Sequence, residues 1–209
     1  MDFINLYKQQ QVDRLTSESK IHSEYFNSYT CLTRRHNTFK QIFSYLDTIS
    51  NPVIVETGIS RSINNYNGDG HSTLLFDEYL EFFKKSGSLT TIDLNKSTCE
   101  FTKPMLSSKS TVICEDSVIA LNILGNDPQF PKIDLLYLDS YDVDWDNPHN
   151  SAFHHFKELF TIFPKIKRGT LIVVDDHDHG KGKGKYIGEY MSHINKLPYF
   201  DEYQIGWIW

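Results

Sequence analysis

A chain of 209 residues, 39% hydrophobic and 14% aromatic, is long enough to bury a core as one domain and too apolar to stay disordered. Its formal charge of −6 argues against nucleic acid as a partner, because a general binder of the phosphate backbone needs a basic face. Cys31, Cys99 and Cys114 are scattered and form no CxxC pair, the start "MDFINLYKQQ" carries acid where a signal peptide carries base, and no run approaches the roughly 18 apolar residues of a membrane span; the expectation is a soluble cytoplasmic protein with reduced thiols and no membrane partner.

From residue 1 to about residue 50 the texture is polar and helical. In "HNTFKQIFSYLDTI" the residues Phe39, Ile42, Phe43 and Leu46 fall on one helical face. After Asn51-Pro52 the texture changes. Short strand-like runs follow at 53–57, 89–94, 110–116, 133–139 and 170–176, with helical patterns at 72–85, 97–106, 117–124 and 148–163 between them. In the last of these helices Phe153, Phe156, Phe160 and Phe163 make an apolar stripe, which predicts packing against a sheet. A further helix is predicted near 186–195, and the tail "PYFDEYQIGWIW" returns to strand character as an antiparallel edge or hairpin. Strands alternating with helices imply an α/β fold, Rossmann-like and doubly wound, with a mostly parallel sheet, helices on both faces and a C-terminal antiparallel strand. Residues 1–50 then form a helical lid or packing segment, and residues 51–209 the ligand-binding domain.

The predicted strands share a feature at their carboxyl ends. Asp93, Asp116, Asp139 and the pair Asp175-Asp176 each end a run, and Glu56 with Gly58 ends the first. In a parallel sheet these ends lie along one edge, where open α/β folds bind ligands. Asp93 is placed to accept both hydroxyls of a ribose, and "EDS" offers Asp116 and the Ser117 amide to an adenine edge. The glycine-containing turn into the next helix permits close backbone approach, but its spacing is not that of a pyrophosphate-cradling GxGxxG. The pattern therefore suggests an adenosine ligand without phosphates, and S-adenosylmethionine is such a ligand.

On these residues the chain resembles the class I S-adenosylmethionine-dependent methyltransferases over roughly residues 51–209, with a texture similar to the metal-dependent O-methyltransferases of the macrocin and catechol types. Those enzymes carry E-x-G-x-x-x-G-x-S after the first strand. "ETGISRSINNYNGDGHS" holds Glu56, Gly58, Gly70 and Ser72 in that order, with an insertion at 59–69 between the glycines. The resemblance implies cofactor contacts from Glu56, Gly58, Gly70, Ser72, Asp93, Asp116, Ser117 and Asp139. It also implies a divalent cation, Mg²⁺ or another, held by Asp139, Asp175 and Asp176. Physical chemistry agrees that such acids need compensation: two carboxylates about 4 Å apart repel by roughly 4 kcal/mol at an effective dielectric near 20, and hard oxygen ligands suit Mg²⁺.

The implied reaction is methyl transfer to a hydroxyl of a small polyhydroxylated molecule, with Asp139 at the metal and His177 as first candidate for the base, since a free imidazole titrates near neutrality. His149 and His154 stand in reserve. In the catechol type a lysine sits three residues after the strand-four acid; here that position is Asp142. Two other readings stay open: an oxygenase or hydrolase with His177 and His179 as metal ligands, and a non-catalytic adenosine-binding module. In "GKGKGK" the glycines predict a flexible loop, and its Lys181, Lys183 and Lys185 either fold over an anionic substrate such as a sugar acid or nucleotide-sugar or, in a solvated connection, offset the acids. In the resembling families the N-terminal segment serves as lid or dimer surface, so a homodimer is an open expectation.

Overall fold

The computed structural model describes residues 34–62, 65, 68, 71–83 and 86–209. The first helix among the described residues, α1 (His36–Asp47), buries Phe39, Ile42, Phe43 and Leu46 completely, as their spacing on one helical face requires. After it come β1 (Val53–Thr57), α2 (Ser72–Phe83), β2 (Ser88–Asp93), α3 (Lys96–Thr102), β3 (Ser110–Cys114), α4 (Ser117–Asn126), β4 (Ile133–Leu138), α5 (His149–Ile162) and β5 (Ile166–Val174). The chain then makes a two-stranded hairpin, β6 (His177–Asp178) and β7 (Lys181–Gly182). It ends with α6 (Lys185–His193), β8 (Phe200–Asp201) and β9 (Ile205–Ile208).

Seven strands form one sheet in the order β3-β2-β1-β4-β5-β9-β8. The first five are parallel, and β9 runs antiparallel to β5 and β8. This is the predicted doubly wound sheet with its antiparallel C-terminal edge. Strand β4 is buried at every position because helices cover both faces. Along it, Leu135 and Tyr137 join one core with α1 and α2, while Leu136 and Leu138 join the other with α4, α5 and α6. The period-2 alternation of a strand divides its side chains between the two layers.

Register brings the strand ends into a row. Thr57 pairs with both Ile92 and Leu138, and Leu138 pairs with Val174. The next residues, Gly58, Asp93, Asp139 and Asp175, therefore emerge side by side at the carboxyl edge.

One expectation is corrected. The stripe Phe153, Phe156, Phe160 and Phe163 is not the sheet-facing side of α5: Phe153 is 48% exposed and Phe160 39%. The buried face is Ala152, His155, Leu159 and Ile162, about one residue around the helix. The phenylalanines are partly used sideways, Phe156 and Phe160 packing edge-on against Tyr190 of α6. Apolar periodicity marked the right helix and the wrong face because the inward positions include His155 and Glu158, which a hydrophobic count passes over.

Candidate active site

Between the carboxyl ends of β1, β2 and β4 lies a cavity of about 420 Å³, lined in part by Gly58, Ile59, Ser72, Asp93 and Asp139. That size falls within the usual range for small-molecule sites. Gly58 has φ +84, and a Cβ there would collide with the carbonyl of Asp139. Only glycine lets β1 turn so close to β4. Asp93 is held in place by backbone: its Oδ2 accepts from the Ile59 N–H at 3.1 Å and its Oδ1 from the Asn95 N–H at 2.6 Å. Each oxygen keeps acceptor capacity for a ligand hydroxyl.

Glu56 has a different place from the one expected. It is fully buried and accepts hydrogen bonds from the hydroxyls of Ser72 (2.5 Å), Thr73 (2.7 Å) and Thr91 (2.6 Å). Its carboxylate ties β1 and β2 to the start of α2, so it shapes the cavity wall that Ser72 forms and is not itself part of the lining. Asp116 caps α4, accepting from the N–H groups of Val118 and Ile119, and the Ser117 hydroxyl meets His154 Nε2 at 2.9 Å. Neither Asp116 nor Ser117 lines the cavity. Gly70 lies outside the described residues.

Beside the cavity the three remaining acids meet two cations. Arg35 Nε reaches both oxygens of Asp175, at 3.0 and 2.9 Å, and its Nη2 reaches Asp176 Oδ1 at 3.1 Å. Asp175, 0% exposed, also accepts from the Tyr137 hydroxyl at 3.0 Å and from the Asp176 N–H at 2.8 Å. Lys183 Nζ bonds Asp139 Oδ1 and lies 2.9 Å from Asp176 Oδ2, and the Tyr203 hydroxyl donates to Asp176 Oδ1. Among the described residues three carboxylates thus face two cations, with one negative charge in surplus.

Burial works against the charge on Arg35 and Lys183, but the carboxylates outweigh it and hold both above their ordinary pKa values. Burial would likewise raise Asp176, yet Lys183 and the Tyr203 hydroxyl bring it below the usual carboxylate range. The surplus falls on Asp139, which burial, Asp175 and Asp176 push up against the pull of Lys183.

A divalent cation needs carboxylate oxygens that converge on it. Asp175 turns both of its oxygens to Arg35, and Asp139 and Asp176 converge on the Lys183 ammonium. Among the described residues no group of three His, Cys, Asp or Glu side chains could hold a metal ion. The expected set Asp139, Asp175 and Asp176 therefore does not fit a metal in this arrangement.

The histidines diverge. His177 is buried, accepts from the Gly180 N–H at 3.1 Å and sits 3.2 Å from Asp201, and it faces a separate surface groove. Burial lowers its pKa against the pull of Asp201. The His179 side chain is 83% exposed. The two cannot share a metal, which removes the support for an iron or zinc site there, and His177 does not reach the cavity as a base. His149 is exposed and meets the Tyr186 hydroxyl at 2.5 Å; neither it nor His154 lines the cavity.

No family model and no curated relative matches the sequence. Solved structures do. CalS11, a calicheamicin methyltransferase, superposes with a TM-score of 0.60 at 14% identity, over 96% of this chain and 90% of that one. MycE, a mycinamycin-pathway methyltransferase solved with Mg, SAH and mycinamycin VI, gives 0.56 at 12% identity; the match covers 83% of this chain but 48% of MycE. The O-methyltransferase NovP gives 0.55 at 12% identity, over 86% of this chain and 76% of that one. The chain has the fold of these methyltransferases.

Within this methyltransferase fold, the residues that sequence reasoning missed are Arg35 and Tyr203, together with the buried place of Lys183. Arg35 had no signal, since one arginine before a helix is ordinary. Lys183 had a faint one. The alternating "GKGKGK" predicts a flexible loop, yet it supplies the second strand of the β6–β7 hairpin, in which Gly182 sits at φ +76 where a Cβ would strike the Asp176 carbonyl. That close approach drives the next side chain inward.

Proposed function

We propose that the chain is an S-adenosylmethionine-dependent O-methyltransferase acting on a hydroxyl of a small polyhydroxylated molecule such as a sugar or natural product. The observation that carries this reading is Asp93, fixed by two backbone N–H groups at the end of β2 and facing a cavity floored by the Gly58 turn. A carboxylate so held suits the paired hydroxyls of a ribose, and the turn lets a ligand approach the backbone closely. The acceptor class is supported by the shared fold with CalS11, a TDP-rhamnose 3'-O-methyltransferase.

The bound cofactor would supply an electrophilic methyl group on a sulfonium. The chain's own residues then have three tasks. Asp93 and the Gly58 turn anchor the cofactor, so that its methyl and the acceptor oxygen meet in line. The buried walls under Ser72 and Asp139 exclude water. Asp139, of the two candidate catalytic groups the one that lines the cavity, accepts the hydroxyl proton as the new O–C bond forms and the S–C bond breaks. MycE was solved with Mg, SAH and mycinamycin VI, whereas the acids here are engaged by Arg35 and Lys183.

Calorimetric titration with the demethylated cofactor, S-adenosylhomocysteine, tests the reading. Asp93→Ala should weaken binding about tenfold or more, because each lost hydrogen bond to a charged group is worth roughly 1.5–3 kcal/mol. No binding to the wild-type chain would end the proposal.

A further inference from the structure

We propose that the ammonium of Lys183 is a built-in substitute for the divalent cation of this kind of site, so that the chain neither binds nor needs a metal, and that Lys183 acts as the positioning residue for Asp139. The part of this that concerns methyl transfer rests on the function proposed above. The part that concerns metal binding does not.

The backbone places Lys183 deliberately. Gly180 and Gly182 take positive φ values of 86 and 76, and the Lys183 N–H bonds the Asp176 carbonyl at 3.1 Å. These constraints lock the hairpin under the strand-five acids and leave Lys183 1% exposed, while its neighbours fare differently: Lys181 is on the surface and Lys185 only partly covered. A lysine ammonium is a compact, strongly hydrated charge on a flexible stem, and it is buried only where partners replace its water. Here the partners come from two strands, Asp139 after β4 and Asp176 after β5.

The rest of the cluster closes around this pairing. Arg35 and Tyr137 occupy both oxygens of Asp175, and Arg35 with Tyr203 occupies Oδ1 of Asp176. A divalent ion could enter only by evicting Lys183 or Arg35, and it would then share a buried space with the cation that remained. Like charges in a low-dielectric interior oppose that. The role of the ammonium follows from its contacts. Asp139 lines the cavity on one side and meets Lys183 on the other, so the lysine fixes the carboxylate at the place where an acceptor hydroxyl would meet it.

The experiment is Mn²⁺ binding, read by the loss of the free-ion paramagnetic resonance signal, on the wild-type chain and on Lys183→Ala, each with and without S-adenosylhomocysteine. Lys183→Met, which keeps the stem, serves if the alanine variant loses its circular dichroism spectrum. The wild type should bind no Mn²⁺. The variant, with Asp139 and Asp176 released, should gain a saturable site. A saturable Mn²⁺ site in the wild type overturns the proposal, and so does a folded variant that gains none. In turnover assays the wild-type rate should be unchanged by chelator, whereas the variant should be slow in chelator and partly restored by Mn²⁺; a wild-type rate abolished by chelator overturns the proposal as well. If S-adenosylhomocysteine fails to bind at all, the methyltransferase reading falls while the Mn²⁺ comparison still decides the lysine's role.

Discussion

Arg35 and Asp175 are 140 residues apart in the chain, yet the guanidinium nitrogen Nε of one lies 3.0 and 2.9 Å from the two carboxylate oxygens of the other, with both side chains withdrawn from solvent. This pair joins the start of α1 to the end of β5. Removing one partner strands the other as an uncompensated buried charge, a loss of about 3–5 kcal/mol. Arg35→Ala should therefore lower unfolding stability by that order in urea titrations. Arg35→Ala with Asp175→Ala should recover part of it, because the orphaned charge is gone. A single variant as stable as wild type would show that the pair contributes nothing.

Gly58 supports a prediction about both folding and binding. Its φ of +84 strains any L side chain, and a Cβ would also press on the Asp139 carbonyl. Gly58→Ala should cost on the order of 1–3 kcal/mol and should weaken S-adenosylhomocysteine binding, since the turn floors the cavity. Thermal unfolding and calorimetry together check this. Unchanged values in both would mean that β1 and β4 can part without cost.

Arg61 and Asp142 lie across the cavity mouth, 3.3 Å apart and largely exposed, at 56% and 81% of the side chain. Exposed ion pairs contribute little, about 0–1 kcal/mol. Arg61→Ala should thus leave stability within that margin. If the pair closes over a bound cofactor, the same variant should release S-adenosylhomocysteine faster in stopped-flow measurements. A large stability loss would contradict the surface assignment.

The architecture was legible in the sequence because strand runs and helical periods are local signals. Each of the five parallel strands is placed within a few residues, and the acids at their ends fall to one edge because parallel strands share it. The functions of those acids were less legible. Asp93 was read as a side chain facing a ligand, and it lines the cavity. Glu56 was read the same way, and it instead binds three hydroxyls from Ser72, Thr73 and Thr91, because it points down into the layer between β1 and α2. Direction within the last turn of a strand has no period to reveal it. Asp175 illustrates the same limit: adjacent to Asp176 in sequence, it faces Arg35, whose place beside it depends on the packing of α1 and on no motif. The histidines failed as a pair because residues two apart in a tight hairpin with φ +44 at His179 do not share a face.

The buried pair His155 and Glu158 on α5 gives a pH prediction with a definite sign. Burial, with the help of Lys183, lowers His155 from its ordinary 6.5 to about 4, although Glu158 pulls the other way. Burial would raise Glu158, but the charge of His155 and the charge and hydrogen bond of His154 outweigh it and lower it from 4.5 to about 2. Both folded-state values are depressed, so between pH 6.5 and 4 the unfolded chain takes up a proton that native His155 does not, and stability falls as pH falls through that window. Below pH 4.5 Glu158 adds to the loss in the same direction. One pKa unit is about 1.4 kcal/mol, so a fully buried histidine shifted this far contributes on the order of 3 kcal/mol across its window. The urea midpoint should drop steadily from pH 6.5 to pH 4 in the wild type. His155→Leu has no proton to take up at this site, so its midpoint should be markedly flatter over the same range while still falling below pH 4.5. Equal slopes for the two proteins above pH 4.5 would assign the acid sensitivity to other groups.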